Sequence, residues 1–280
     1  MITDYKKVGS RVSPSTHDVR ACGRTLPDGT RRVQRLAVGC LGAVLLASVA
    51  CSNTTLDFFN PDLGLLAHWA LDESQPGNVA IDVSGFGNNG KPSSNPPVPT
   101  QDVPPVHFGD RFSLSFNGQD QWIEIGNPPL LNVGGPISVA AWLRPGRIDA
   151  RGNVIAHGYR FGPSYDFALR MDSGTYVFTT WDSINHEAVA NIPTSDVGTW
   201  VHLCGVFDGA TYRLYRNGAL AATTVDATAP QANVDATWAI GARAPQQNSD
   251  VDNLIQADLD DVRIYGRALT SAEVEVLYQR

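Results

Sequence analysis

The 280-residue sequence predicts an all-β protein, a two-sheet antiparallel β-sandwich with a short C-terminal helix. Three observations lead to this prediction. From residue 61 onward, short β-prone runs recur, and several alternate apolar and polar residues with the period of two of half-buried strands. Turn sequences separate these runs, and only one segment has helical spacing. Many short strands divided by turns are typical of sandwiches and barrels.

The strands predicted from these runs are, in chain order, Leu65–Leu71, Ser113–Phe116, Trp122–Ile125, Ile137–Leu143, Asp166–Met171, Thr175–Trp181, Trp200–Phe207, Thr211–Tyr215 and Asp260–Tyr265. The turn Asn217-Gly218, flanked by apolar residues, is the clearest hairpin, because both residue types tolerate the positive φ of tight hairpin turns. The stretch 91–105 contains six prolines and is expected to be a long surface loop.

The predicted helix lies at the C-terminus. Thr270 and Glu273 have the spacing of a capping box, in which each side chain bonds the other's backbone N–H. Val274, Leu277 and Tyr278 then follow at helical spacing.

The N-terminal residues 1–50 are predicted to be a leader and signal peptide. Arg31, Arg32 and Arg35 precede an apolar run, Leu36–Ala50, that is too short to span a bilayer and has small residues near its end. The run ends at Cys51 in a sequence that resembles a bacterial lipobox, in which the cysteine is acylated. Residues 51–60 would then be a tether and 61–280 the sandwich domain of a secreted or membrane-anchored envelope lipoprotein; a buried core helix is the alternative for the apolar run.

Charge excludes some partners. Residues 51–280 hold 13 basic and 25 acidic residues, a formal net charge of −12. Such a surface repels phosphate backbones and lacks the basic clusters that bind anionic lipid. Nucleic acid is therefore not expected as a partner, and a membrane is expected only through the lipid anchor. Cys51 and Cys204 are too few for a disulfide framework, and Cys204 is expected in the core.

The ordered blocks from Gly64 to Arg280 resemble the laminin-G-like jelly-roll domains of bacterial extracellular proteins, in the concanavalin A-like lectin/glucanase superfamily. The blocks that carry the resemblance are Leu65–Glu73, Asp82–Gly90, Leu114–Gly118 with Trp122–Ile125, Ile137–Pro145, Gly198–His202, Asp208-Gly209, Leu214–Gly218, Ile240–Arg243, Leu259–Tyr265 and Arg267–Thr270.

The resemblance leaves several functions open, because one fold hosts many sites. Related glucanases carry a Glu-x-Asp-x-x-Glu or Glu-x-Asp-x-Glu strand that places two catalytic carboxylates on one face. No such run occurs here, and Glu124 has no carboxylate at i+2 or i+4. We therefore expect a non-catalytic module that binds a carbohydrate or a cell-surface protein. The alternatives are a polysaccharide-active glycoside hydrolase of the same fold and a purely structural or adhesive envelope lipoprotein.

The resemblance also implies a calcium site. In related glucanases an Asp of the final strand ligates calcium with backbone carbonyls, and Asp260 matches that position. Hard oxygen ligands suit this ion. Asp82 is a second candidate ligand, although ordering of the loop 84–90 through an Asx-turn explains it equally well. For Asp260 the alternative is a carboxylate that caps or solvates the sheet edge.

Four residues are expected to bind the ligand: Trp181, Tyr159, Tyr165 and Arg170. Exposed aromatic rings can stack on the apolar faces of sugars, and an arginine can bond hydroxyls. By contrast, Trp69, Trp142, Trp200 and Trp238 match strand positions of the family and are expected in the core. Packing is the alternative for Trp181 as well.

Overall fold

The computed structural model describes residues 60, 63–106, 109–158, 166–232, 235–244 and 251–280. The chain divides into two units, Met1–Thr55 and Leu56–Arg280, and every described residue belongs to the second. The predicted leader at 1–50, the lipobox cysteine Cys51 and all of the 51–60 tether except Asn60 lie outside the described residues.

The described residues form the following elements: β1 (Leu65–Trp69), β2 (Lys91–Pro92), β3 (Val98–Thr100), β4 (Ser113–Asn117), β5 (Ile123–Gly126), a 3-10 turn (Pro129–Leu131), β6 (Ile137–Pro145), β7 (Gly152–Gly158), β8 (Asp166–Asp172), β9 (Thr175–Trp181), β10 (Asn185–Asn191), a 3-10 turn (Thr194–Asp196), β11 (Val201–Phe207), β12 (Thr211–Arg216), β13 (Ala219–Val225), β14 (Trp238–Ile240), β15 (Gln256–Tyr265) and α1 (Ser271–Tyr278).

The strands make two antiparallel sheets. The first sheet has the order β13-β12-β11-β6-β15-β4-β3, and β1 also pairs with β15. The second sheet has the order β10-β9-β8-β7-β14-β5-β2. The predicted sandwich with a short C-terminal helix is confirmed.

The core lies between the two sheets because alternate residues of each strand point inward. Leu143 and Leu203 of the first sheet and Phe178 and Ile240 of the second are completely buried in one cluster. Trp69, Trp142 and Trp238 are also buried, as expected. The core position expected for Trp200 is wrong: it is half-buried, and its indole N–H donates to Asp102 at 2.9 Å.

Helix α1 covers part of the outer face of the first sheet. Its Val274 and Leu277 pack with Cys204 and Tyr265 in a second buried cluster. Cys204 is thus a core residue as predicted, and burial raises the pKa of its thiol above the usual range. Among the described residues, no helix has the length and apolarity to cross a membrane.

The proline-rich stretch differs from the prediction. It was expected to be a loop, but it contributes β2 and β3, which lie at the ends of the two sheet orders. Pro92 and Pro99 are tolerated there because an edge strand leaves one row of N–H groups unpaired. The Asn217-Gly218 hairpin is confirmed, with φ values of 50° and 77°.

Candidate functional site

One row of side chains crosses the whole outer face of the second sheet. Residues paired directly across a ladder share a face, and the inward-facing neighbours of this row belong to the core. In sheet order the row is Glu187, Thr179, Ala168, Ala156, Ala239, Glu124 and Lys91. The middle of the row is small and buried, and charged side chains stand at both ends.

A cavity of about 610 Å³ opens at the β5–β2 end of this row. We call it the edge cavity, and its described lining is Lys91, Pro92, Ser93, Ser94, Gln119, Asp120, Trp122, Glu124, Val251 and Leu254. Pro92, Trp122, Val251 and Leu254 are its apolar lining, and the remaining residues are its polar lining. Trp122 is only 5% exposed, so little of its ring is open to a ligand.

Hydrogen bonds beyond the ends of β2 and β5 fix the shape of the edge cavity. The backbone N–H of Ser93 donates to the Trp122 carbonyl at 2.9 Å, and the backbone N–H of Trp122 donates to Ser93 Oγ at 3.3 Å. Asp120 Oδ1 accepts from the side-chain amides of Asn95 and Asn117, both at 2.8 Å. These two bonds lower the pKa of Asp120. Local hydrogen bonds therefore hold the polar lining in place before a ligand binds.

Lys91 and Glu124 face each other across the β2–β5 ladder. Within the described part of the chain, neither side chain makes an ion pair. Both charges are thus available at the mouth of the edge cavity. Sequence reasoning did not find these residues or Trp122 as a site, because the cavity forms only when the segment around Leu254 packs beside β5.

Trp181 and Arg170, both expected to bind the ligand, lie on the outer face of the second sheet. Trp181 is half-buried at the end of β9, opposite Asp166 of β8. Arg170 stands four positions along β8 from Asp166, roughly 13 Å away. It is 5% exposed, with Nη2 at 3.7 Å from Asp172 and 3.9 Å from Glu187.

These carboxylates balance the charge of Arg170, so the ion pairs account for its position. Its role in ligand binding and that of Trp181 stay predictions. Tyr159 and Tyr165 lie outside the described residues.

A break in the β15 ladder positions Asp260. The β15–β6 register shifts between Asp260 and Arg263, and Asp261 takes a φ of 51°. The Asp260 side chain is buried; Oδ1 accepts the Asp261 N–H at 2.8 Å, and Oδ2 has no hydrogen-bond partner among the described residues. The carboxyl of Asp110 contacts it.

Burial and the charges of Asp110 and Asp261 raise the pKa of Asp260 to about 10. Burial foremost, with the negative charges of Asp72 and Asp261, raises the pKa of Asp110 to about 6. Two adjacent carboxyls, one with an unpartnered buried oxygen, form an arrangement that a hard cation would satisfy. No group of three or more acidic, His or Cys side chains among the described residues has metal-binding geometry, so backbone carbonyls would complete such a site.

Asp261 is already committed to other partners. Burial alone would raise its pKa, but the charge of Arg263 and a 2.5 Å hydrogen bond with His68 lower it to about 2. His68 belongs to β1 and Arg263 to β15, so the Asp261 carboxylate links these two neighbouring strands.

Asp82, the second candidate ligand, lies apart from Asp260. Its Oδ1 accepts the N–H groups of His68 at 3.0 Å and Ser84 at 2.9 Å. Its Oδ2 accepts the backbone N–H and the side-chain amide of Asn88, at 2.8 and 3.0 Å. Asp82 pairs with Trp69 of β1, whose other neighbour is Val262 of β15. One strand thus separates the two carboxylates, and Asp82 orders the loop 84–90.

Solved structures share the fold at low identity. Domain 4 of AbnA, a GH43 extracellular arabinanase from Geobacillus stearothermophilus, solved with arabinotriose, is 20% identical with a TM-score of 0.59; the match covers 77% of this chain and 98% of that domain. The binding domain of Paraclostridial Mosquitocidal Protein 1 is 15% identical with a TM-score of 0.60, covering 78% and 52%. The binding domain of botulinum neurotoxin DC in complex with SialylT is 15% identical, with a TM-score of 0.55 and the same coverages. The chain therefore spans about half of each toxin domain.

A search of curated proteins finds no match to the sequence. The family model of the Concanavalin A-like lectin/glucanases superfamily, in its laminin G form, matches residues 117–275. The match covers more than half of the chain and includes β5 to β15, the strands that hold most of both sheets. The chain accordingly belongs to the concanavalin A-like lectin/glucanases superfamily.

Proposed function

We propose that this protein is a non-catalytic, extracytoplasmic module that binds a glycan in the edge cavity. The observation that carries the proposal is the cavity itself, which combines apolar and hydrogen-bonding residues at the edge of the sandwich. A sugar ring likewise has an apolar face and a rim of hydroxyls. That two structural neighbours were solved with arabinotriose and with SialylT supports this choice of ligand over a protein.

Asp120 of the edge cavity is better suited to binding a hydroxyl than to acting as the general acid of glycoside hydrolysis. Glycoside hydrolysis takes two carboxyl groups, one of them a general acid with a raised pKa. Asp120 has a lowered pKa because two amides hydrogen-bond its carboxylate. A residue kept ionised in this way binds a hydroxyl more readily than it delivers a proton.

The proposal is tested by screening the purified full-length chain on an array of plant, bacterial and animal glycans. Binding to a defined set of oligosaccharides is expected. The Glu124→Gln variant should lose that signal, because the glutamine keeps the shape but removes the negative charge that strengthens the hydrogen bond accepted from a sugar hydroxyl. Release of reducing sugar from the bound oligosaccharides would instead show a hydrolase, and the absence of any bound glycan would contradict the proposal.

We also propose that calcium binds at Asp260, with Asp110 in place of Asp82 as the second carboxylate. The unpartnered Asp260 Oδ2 and the neighbouring Asp110 support this assignment. Asp82 is less suited because four hydrogen bonds already engage its oxygens. A bound ion would favour the ionised form of both carboxyls, whose pKa values are raised without it.

Chelation tests the calcium site. An ion at a hundredfold excess over Kd stabilises the native state by about 2.7 kcal/mol. Chelator should therefore lower the Tm of the wild type, and Asp260→Asn or Asp110→Asn should remove most of that sensitivity. The matched control Asp82→Asn should be less stable yet keep its response to chelator. An unchanged wild-type Tm after chelation would contradict the site.

For localisation, we propose that the chain is a lipoprotein of the bacterial envelope, acylated at Cys51. The support is the basic and then apolar sequence that ends at this cysteine. Labelled palmitate fed to an expressing bacterium should mark the wild type and not Cys51→Ser. Label that persists in the variant would contradict acylation at this residue.

A further inference from the structure

We infer that the edge cavity selects neutral glycans and recognises two neighbouring hydroxyls through Lys91 and Glu124. This inference rests on the proposed function, since it names the ligand class of the same site. It is carried by the charges that line the cavity and by the register that sets them side by side.

The charge balance excludes anionic sugars. Among the described lining residues, the carboxylates Asp120 and Glu124 stand beside one ammonium, that of Lys91. Residues 51–280 taken together carry a formal net charge of −12. A uronic or sialic acid would approach against this field and would place its carboxylate beside two others. A neutral ring meets no such cost.

The pairing of Lys91 with Glu124 places two groups that can bond sugar hydroxyls side by side. Lys91 and Glu124 are directly paired, so their Cβ atoms are roughly 5 Å apart on the same face. An ammonium only donates hydrogen bonds and a carboxylate only accepts them, whereas a hydroxyl does both. One sugar hydroxyl can thus accept from Lys91 while its neighbour donates to Glu124. Both bonds are charge-assisted, which makes them stronger than bonds between neutral groups.

The apolar lining gives the ring a surface to pack against. Val251, Leu254 and Trp122 offer carbon contacts to the C–H face of a ring. The hydroxyl rim is then left to bond Lys91 and Glu124. A site built to bond a hydroxyl rejects an analogue that lacks it far more strongly than an apolar pocket rejects a size change.

Isothermal titration of the full-length chain tests this selection. The neutral probes are arabinotriose, xylotriose, cellotriose and maltotriose, and the anionic probes are sialyllactose and trigalacturonate. At least one neutral probe should bind, and the anionic probes should bind at least tenfold more weakly at low salt. Lys91→Met and Glu124→Gln should each weaken neutral binding at least tenfold, and a deoxy analogue of the best probe should lose as much.

Glu187→Gln is the matched control, since Glu187 is the outward carboxylate at the opposite end of the same row. It should leave affinity unchanged. Tighter binding of an anionic probe, or loss of affinity in Glu187→Gln but not in Glu124→Gln, would overturn this inference while glycan binding stands. Binding of no probe in either panel would overturn the inference and the proposed function together.

Discussion

At the scale of single residues, His186 is the clearest case of a side chain with two partners. Its Nδ1 lies 2.7 Å from Asp226 and its Nε2 lies 3.0 Å from Asp182. Both ring nitrogens donate only when the imidazole is protonated. His186 lies in β10 of the second sheet, Asp182 lies in the turn between β9 and β10, and Asp226 directly follows β13 of the first sheet. The charged imidazole therefore ties the two sheets together at one edge.

This arrangement predicts a pH-dependent contribution to stability. Burial lowers the pKa of His186, but the two carboxylates outweigh burial and raise it above the ordinary value of about 6.5. The stabilisation is therefore complete below that value and is lost as pH rises through the raised pKa of the folded state. His186→Gln should cost about 2 kcal/mol at pH 6 and less at pH 9. Urea unfolding at several pH values measures this, and an equal loss at every pH would contradict the account.

Residue contacts also explain how much of the site could be predicted. Asp82 and Asp260 were candidate calcium ligands because both lie in sequence blocks that resemble the family. Asp82 turned out to be saturated with hydrogen bonds, whereas Asp260 keeps an unpartnered oxygen. The difference depends on the shifted register of β15 and on the approach of Asp110, which no local pattern encodes. The edge cavity was likewise out of reach, because Lys91 lies in a stretch predicted to be a loop.

At the scale of elements, helix α1 follows its sequence closely. The Thr270 side chain accepts the Glu273 N–H at 3.2 Å, and the Glu273 carboxylate accepts the Thr270 N–H at 2.7 Å. Thr270→Ala should therefore cost about 1 kcal/mol. Ser271→Ala, one residue further at an exposed position, should change stability by less than about 0.5 kcal/mol. Chemical unfolding compares the two, and equal effects would contradict the capping role.

The strands were predictable where apolar and polar residues alternate or where β-branched residues are frequent. β4, β5, β6, β8 and β9 fall within or beside predicted runs. Others gave no such pattern: β7 is buried on both faces, and β13 is an exposed edge with little alternation. Such strands are specified by their neighbours in the sheet, since strand preference depends strongly on tertiary context.

At the scale of the whole molecule, the two sheets are tightly packed where Gly205 of β11 faces Phe178 of β9. A Cβ placed on Gly205 would lie 2.1 Å from the Phe178 ring, closer than any real contact. Gly205→Ala should therefore destabilise the sandwich by about 1–3 kcal/mol. The loss should be smaller in a Phe178→Leu background, because the shorter side chain leaves room. A double-mutant cycle in urea measures this coupling, and additive effects would contradict the close packing.

In the proposed function, the sandwich presents a glycan site at its β2–β5 edge. A crystal structure of the chain with the neutral trisaccharide that binds most tightly tests it most directly. The account predicts a sugar ring in the edge cavity against Val251 and Leu254, with two adjacent hydroxyls bonded to Lys91 and Glu124. A sugar bound beside Trp181, with the edge cavity empty, would contradict it.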